Sequence, residues 1–347
     1  MEVTRLKSLG SPMWKNSPAI MFPNNIQNSP APPSLMKSLT AGFDAISNHI
    51  GLIVFSVALD LMLWFGPRLN LARIFQPTDY SALIMPEMQD ADIARVLQNM
   101  VTEFNLFSVL RTLPVGIPSL MAGRAPLETP MGKPLVWELP SIGTTLGLWL
   151  LFIVFGLLAG TLYFSVVAQA AIRNQVSWRE AFGQWLWAAF QILLLTFAGF
   201  VFLFLAVIPF SCLLSLMLVN GIGIGQIALI ALIIFAGLLI WLLIPLVFSP
   251  HGIFVNRYAL WISMRESIRL TRWTLPTTSL LLLSILLLSE GLDLLWSLPA
   301  ENSWWTFVGI IGHAFVSTSL LAATFVYYKD ADRWVQQTLQ RAKPSVA

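Results

Sequence analysis

Apolar residues run through this chain in long blocks, separated by short clusters of arginine, tryptophan and serine. Blocks at about 50–66, 142–171, 185–207, 227–248, 275–298 and 306–328 each approach the ~20 residues that a helix needs to cross a bilayer at 1.5 Å per residue. The pattern predicts an all-α polytopic integral membrane protein of about six transmembrane helices, arranged as three parallel hairpin repeats. Residues 1–37, rich in Pro, Ser and Asn, read as a disordered tail without the continuous apolar core of a cleavable signal. Residues 38–48 carry Leu39, Phe43 and Ile46 at helical spacing and are expected to form a short helix at the membrane surface, leading into span one at about 50–66, so that 38–66 is one unit of surface helix and span. Residues 67–141 interrupt the pattern as a long polar insert outside the cytoplasm. In it, Asp90 and Asp92 open a helix predicted to run to about Leu113, and a run of prolines follows. Two readings of the insert stand: a cap lying on the bundle's outer face, or a lid that binds a ligand or partner protein.

Within 142–328 the pattern predicts spans two to six, and 329–347 a charged tail. Gly156 and Gly160 in span two are spaced to let another helix approach closely, although glycine is also simply common in membrane helices. Pro209 is expected to kink or end span three. Gly221, Gly223 and Gly225 form a turn and lack the preceding strand of a dinucleotide loop.

Composition supports lipid as the main solvent. Hydrophobic residues make up 56% of the chain and charged residues 11%, with a mean hydropathy of +0.74. Soluble domains carry about 25% charged residues. The net charge of +3 is too small and scattered for nucleic acid. A single cysteine, Cys212, rules out an internal disulfide. With the N-terminus in the cytoplasm, the inner segments take Arg173 and Arg179, Arg257, Arg265, Arg269 and Arg272, and the basic residues of both tails. The two short outer loops take none. Both termini are therefore expected in the cytoplasm.

Three basic collars precede the outward spans. Ser177-Trp-Arg-Glu180 and Ser263-Met-Arg-Glu266 each have the spacing of a capping box at a helix start, and Ser38-Leu-Thr-Ala fits the position without the glutamate. Leu59-Asp-Leu-Met-Leu-Trp64 echoes Leu292-Asp-Leu-Leu-Trp296. This collar pattern, with Arg-Glu-Ala-Phe or Arg-Glu-Ser-Ile before a long leucine-rich span, resembles the membrane domain attached to some bacterial glycerophosphodiester phosphodiesterases and its stand-alone relatives. The resemblance covers 38–332 without the insert. It implies a bacterial inner-membrane location and brings no catalytic residues with it.

Four ionisable residues fall inside apolar blocks: Asp60, Glu290, Asp293 and His313. Each costs about 2.5–3.5 kcal/mol on insertion scales and faces the bundle interior as a rule. At 1.5 Å per residue they lie about 9, 12, 7 and 10 Å from the outer ends of their spans. One reading is a polar cavity that binds a cation, a proton or a lipid headgroup. The other is a set of hydrogen bonds between helices. His49 and His251 read as interfacial. Arg265, Arg269 and Arg272 recur at helical spacing beside Trp261 and Trp273, and with Arg257 they are expected either to bind anionic headgroups on the cytoplasmic face or only to set topology. No catalytic, metal-binding or cofactor motif is visible. The expected function is a membrane protein, not an enzyme, that organises lipid through its collars or a partner protein through its insert. The alternative is a small-solute or ion transporter using the outer acidic cluster.

Overall fold

The computed structural model describes residues 32–74, 103–124, 126–219 and 224–342. Among the described residues, five helices are long and apolar enough to cross a membrane, and up to six if the bent pair at 35–65 counts as one span. In chain order the helices are α1 (Leu35–Asn48), α2 (Val54–Phe65), the one-turn α3 (Met121–Arg124), α4 (Ile142–Arg173), α5 (Trp178–Val219), α6 (Ile224–Leu243), α7 (Ser249–Asn256), α8 (Leu260–Trp296) and α9 (Trp305–Ala342). Two short strands, β1 (Arg68–Asn70) and β2 (Val136–Glu138), pair in parallel and tie the two ends of the insert together. The sequence pattern holds no sign of them, because three-residue strands are too short to show an alternation.

The first helix corrects an expectation. It bends by 92° into the following segment, and it packs lengthwise on α9 instead of lying free at a surface. Its buried face is Ser38, Gly42, Ala45 and Ile46; of the Leu39, Phe43 and Ile46 stripe only Ile46 is fully buried. Gly42 is the contact point: a Cβ there would sit 2.5 Å from the Ala323 nitrogen and 2.6 Å from the Ser319 oxygen. The Phe43 ring meets Phe315 at 5.8 Å, while Leu35 reaches the cluster of Phe248, Tyr327 and Tyr328. α1 and α9 are therefore antiparallel.

Several boundaries also move. Pro209 lies inside α5, which continues to Val219. The proposed glycine turn falls largely outside the described residues, and Gly225 belongs to α6. The predicted tail from 329 is a continuation of α9 to Ala342. The predicted insert helix lies partly outside the described residues; its last turns are not α-helical, since Asn105 is extended and Leu106–Leu110 forms a 3-10 turn capped by the Asn105 side chain.

The third collar behaves as its pattern suggests. α8 begins with an amphipathic segment and changes direction at Thr274, whose φ of −115° and ψ of 18° leave the helical region. Pro276 causes this, because its ring has no N–H and crowds the preceding turn. Nearby hydroxyls take up the disturbed backbone. Thr274 donates to the Leu270 carbonyl at 2.9 Å, Thr277 donates to the Thr274 carbonyl at 3.0 Å, and the Tyr327 hydroxyl meets Thr277 at 2.8 Å. These hydroxyls brace the helix on both sides of the kink and tie it to Tyr327 of α9.

Neither expected capping box closes. Ser177 Oγ accepts weakly from the Glu180 N–H at 3.4 Å, but the Ser177 N–H goes to Gln169 and the Glu180 carboxylate turns outward to two arginines. Ser263 lies one turn inside α8, which starts after Ala259, and its hydroxyl donates to the Ser249 carbonyl at 2.6 Å.

Candidate functional site

The four ionisable residues of the apolar blocks meet three different fates. Asp60 on α2 is fully buried. Its carboxylate accepts from the Ser119 hydroxyl at 2.5 Å, from the Met121 N–H at 2.9 Å and from the Leu120 N–H at 3.2 Å. One turn earlier, Ser56 donates to the Pro118 carbonyl. Asp60 thus caps α3 and anchors the insert by its backbone.

The described segment 103–124 of the insert does not lie on top of the bundle, as the cap reading has it. It passes into the bundle against the middle of α4. A Cβ on Gly156 would stand 2.6 Å from the Leu110 oxygen, and one on Gly160 would stand 2.7 Å from the Val115 oxygen. The spaced glycines therefore admit an irregular backbone, not another helix. Irregular backbone at such depth is tolerated only when protein encloses it and satisfies its polar groups. Val115 is fully buried and its carbonyl accepts from Thr112 at 2.9 Å. Further ties lie above: Arg124 donates to the Ser297 carbonyl, Leu127 N–H to the Glu301 carboxylate at 3.0 Å, and the Trp64 indole to the Glu301 carbonyl at 3.0 Å.

Asp293 and His313 are brought together across α8 and α9. Asp293 Oδ1 and His313 Nδ1 are 2.6 Å apart, and His313 Nε2 lies 3.3 Å from the Ser317 hydroxyl. The imidazole is enclosed, whereas the carboxylate is half-buried. Trp296 packs over Gly312 directly beside this pair. Glu290 is not with them. It is exposed on α8, three residues from Asp293 but outside the polar contact.

The opposite end of the bundle keeps its charges open. Arg265, Arg269 and Arg272 are exposed on one stripe of α8, flanked by exposed Trp261 and Trp273. The other side of the same segment buries Ser263, Ser267, Leu270 and Thr271. Ser267 holds that side in place, donating to the Pro245 carbonyl at 2.8 Å and accepting from the Phe248 N–H at 3.1 Å. Arg269 pairs with Glu266 at 2.9 Å. Beyond the Thr274 kink the exposed positions include Leu283, Leu287 and Leu294, with the exposed Glu290 between the last two, so the guanidiniums stand at the head of a mainly leucine segment.

Arg257, grouped with these by sequence, belongs elsewhere. It ends α7 in the left-handed conformation at φ 55° and pairs with Glu180 at 2.8 Å; Arg173, at the end of α4, pairs with the same carboxylate at 2.7 Å. Glu180, Gln169 and Gln184 are members of this group that capping logic hides, because it assigns the glutamate to its own helix end.

His251 is not interfacial. It is buried, 2.8 Å from the Thr324 hydroxyl, with its ring against Phe325 at 4.6 Å. His49 sits half-buried at the α1 bend, its Nδ1 3.0 Å from the Ala45 oxygen. Cys212 is exposed. Among the described residues, no group of three or more His, Cys, Asp or Glu side chains could hold a metal ion. No family model matches the chain, and no curated protein and no solved structure matches it.

Proposed function

We propose that this is a multi-pass membrane protein that organises anionic lipid, and partners bound with it, through the arginine face of α8, with no catalytic step of its own. The observation that carries this reading is the exposed stripe of Arg265, Arg269 and Arg272 between Trp261 and Trp273, on a helix whose exposed surface beyond the kink is mainly leucine. Each arginine near an anionic surface contributes about 1 kcal/mol. Tryptophan favours the headgroup level, with its ring in the apolar edge and its N–H toward water. By the distribution of basic residues this end faces the cytoplasm, and a bacterial inner membrane suits the collar pattern. A role confined to setting topology would not require the three guanidiniums to share one exposed stripe.

The transporter reading has less support. Asp60 spends its carboxylate on the insert, Asp293 and His313 satisfy each other, and Glu290 stands apart. The insert serves as a structural wedge on this account, with any partner meeting its outer surface.

The lipid reading is tested by quenching tryptophan fluorescence in reconstituted protein. Brominated phosphatidylglycerol should quench more than brominated phosphatidylcholine, and R265Q/R269Q/R272Q should remove the excess. Equal quenching by both lipids in the wild type would refute the reading.

A further inference from the structure

We infer that the cleft between α4, α5 and α7 is a second, separate site, which takes a phosphate-bearing anion between Arg173 and Arg257 and is held closed by Glu180. Helix ends build it. Arg173 closes α4 and Arg257 follows the last turn of α7, where the helix dipoles favour cations; Glu180 lies in the first turn of α5, where they favour an anion. The cleft is lined by these three side chains together with Gln169, Gln184 and Trp187. Its back wall is apolar, from Ile172 and Ile253.

The charges do not balance within it. Two guanidiniums share one carboxylate, which leaves one positive charge in excess, and Lys329 stands close by with its ammonium on the Ile172 carbonyl at 3.1 Å. Each guanidinium has five N–H donors, and each uses one on Glu180. The two arginine side chains are 55% and 56% exposed, so their donors remain open to solution. Ion pairs this exposed contribute about 0–1 kcal/mol. An incoming phosphate, which arginine can grip by two parallel hydrogen bonds, can therefore displace the carboxylate. Gln169 lines the cleft and is held there by its Oε1, which accepts from the Ser177 N–H at 2.8 Å. The apolar wall gives room for the carbon part of the ligand. A lipid headgroup and a soluble phosphate ester share this chemistry.

Displacement of Glu180 would also release a fastening. Its carboxylate is one link that joins the ends of α4 and α7 to the start of α5, beside the Ser177–Gln169 hydrogen bond. Ligand binding is thereby coupled to the spacing of three helices at this end of the bundle.

Native mass spectrometry of the full chain in a neutral detergent tests this, with inorganic phosphate and phosphatidylglycerol titrated in separate arms. Wild-type protein should retain the anion. R173Q/R257Q should bind about a hundredfold more weakly, the size expected for losing paired charged contacts. E180Q should bind about tenfold more tightly, because the competing carboxylate is gone. All titrations are run in the R265Q/R269Q/R272Q background as well, where the α8 lipid face is gone and retention by this cleft should persist, so failure here and failure of the α8 reading are distinguishable. Retention of phosphatidylglycerol alone assigns the ligand to the bilayer, and retention of inorganic phosphate assigns it to solution. No retention in either arm, or E180Q binding no tighter than the wild type, overturns the inference. R173K/R257K, which keeps charge and loses the guanidinium fork, replaces the glutamine pair if that pair elutes as aggregate, and it too must bind more weakly.

Discussion

The two ends of this bundle treat charge in opposite ways. At the insert end, three of the four ionisable residues of the apolar blocks are engaged by the fold: Asp60 takes three donors from the insert and Asp293 is joined to His313, while Glu290 stays exposed. At the basic end, Arg265 and Arg272 are exposed, and Glu180 is shared between two arginines that are themselves half in solvent. A charge buried with full hydrogen bonding is evidence of structure, because removing one partner strands the others. A charge held at the surface by a rigid helix adds little stability, so its arrangement speaks for binding. The difference separates the residues that hold this protein together from those that are free to act.

Mutations that break the insert end should cost most. Gly156→Leu or Gly160→Leu forces a side chain into the insert backbone, and about 3 kcal/mol of stability should be lost through overpacking. Limited proteolysis should then cut within 103–124, where the wild type resists. Asp60→Ala leaves two N–H groups and a hydroxyl without a partner, at a cost of about 2–3 kcal/mol. Asp60→Asn, which keeps an acceptor, should lose less, and thermal unfolding in detergent ranks the two. Breaking the Asp293 contact by His313→Leu should cost about 1 kcal/mol, since hydrogen bonds between membrane helices average below that. Glu290→Gln should shift the melting temperature least of the outer carboxylate variants. At the basic end, R265Q/R269Q/R272Q should change stability by less than about 0.5 kcal/mol, while lipid association falls.

Much of this architecture is legible in the pattern of apolar blocks. The spans appear because a bilayer sets one length for all of them, and the junction at Thr274 appears because Pro276 acts on its own neighbours. Depth alone groups Asp60, Glu290, Asp293 and His313 together and does not single out the pair of Asp293 with His313, which the packing of α8 on α9 selects. Long-range partners are another matter. Gly156 and Gly160 announce that something approaches closely, but the identity of the visitor depends on a segment over thirty residues away in the chain, and nothing local distinguishes a loop from a helix. Glu180 misled for a related reason. Its spacing from Ser177 suits a capping box, yet two guanidiniums at neighbouring helix ends compete for the same carboxylate and win. His251 and the small-residue face of α1 were hidden because burial at a packed interface depends on the partner helix, here α9.

The most direct test of the contrast is the lipid that leaves the membrane with the protein. The wild type, the R265Q/R269Q/R272Q variant and a Glu290→Gln, Asp293→Asn double variant would be extracted in polymer nanodiscs, and anionic phospholipid would be quantified per protein. The account predicts a clear fall for the arginine variant and none for the carboxylate variant. Unchanged anionic lipid in the arginine variant, or a fall in the carboxylate variant alone, would contradict it.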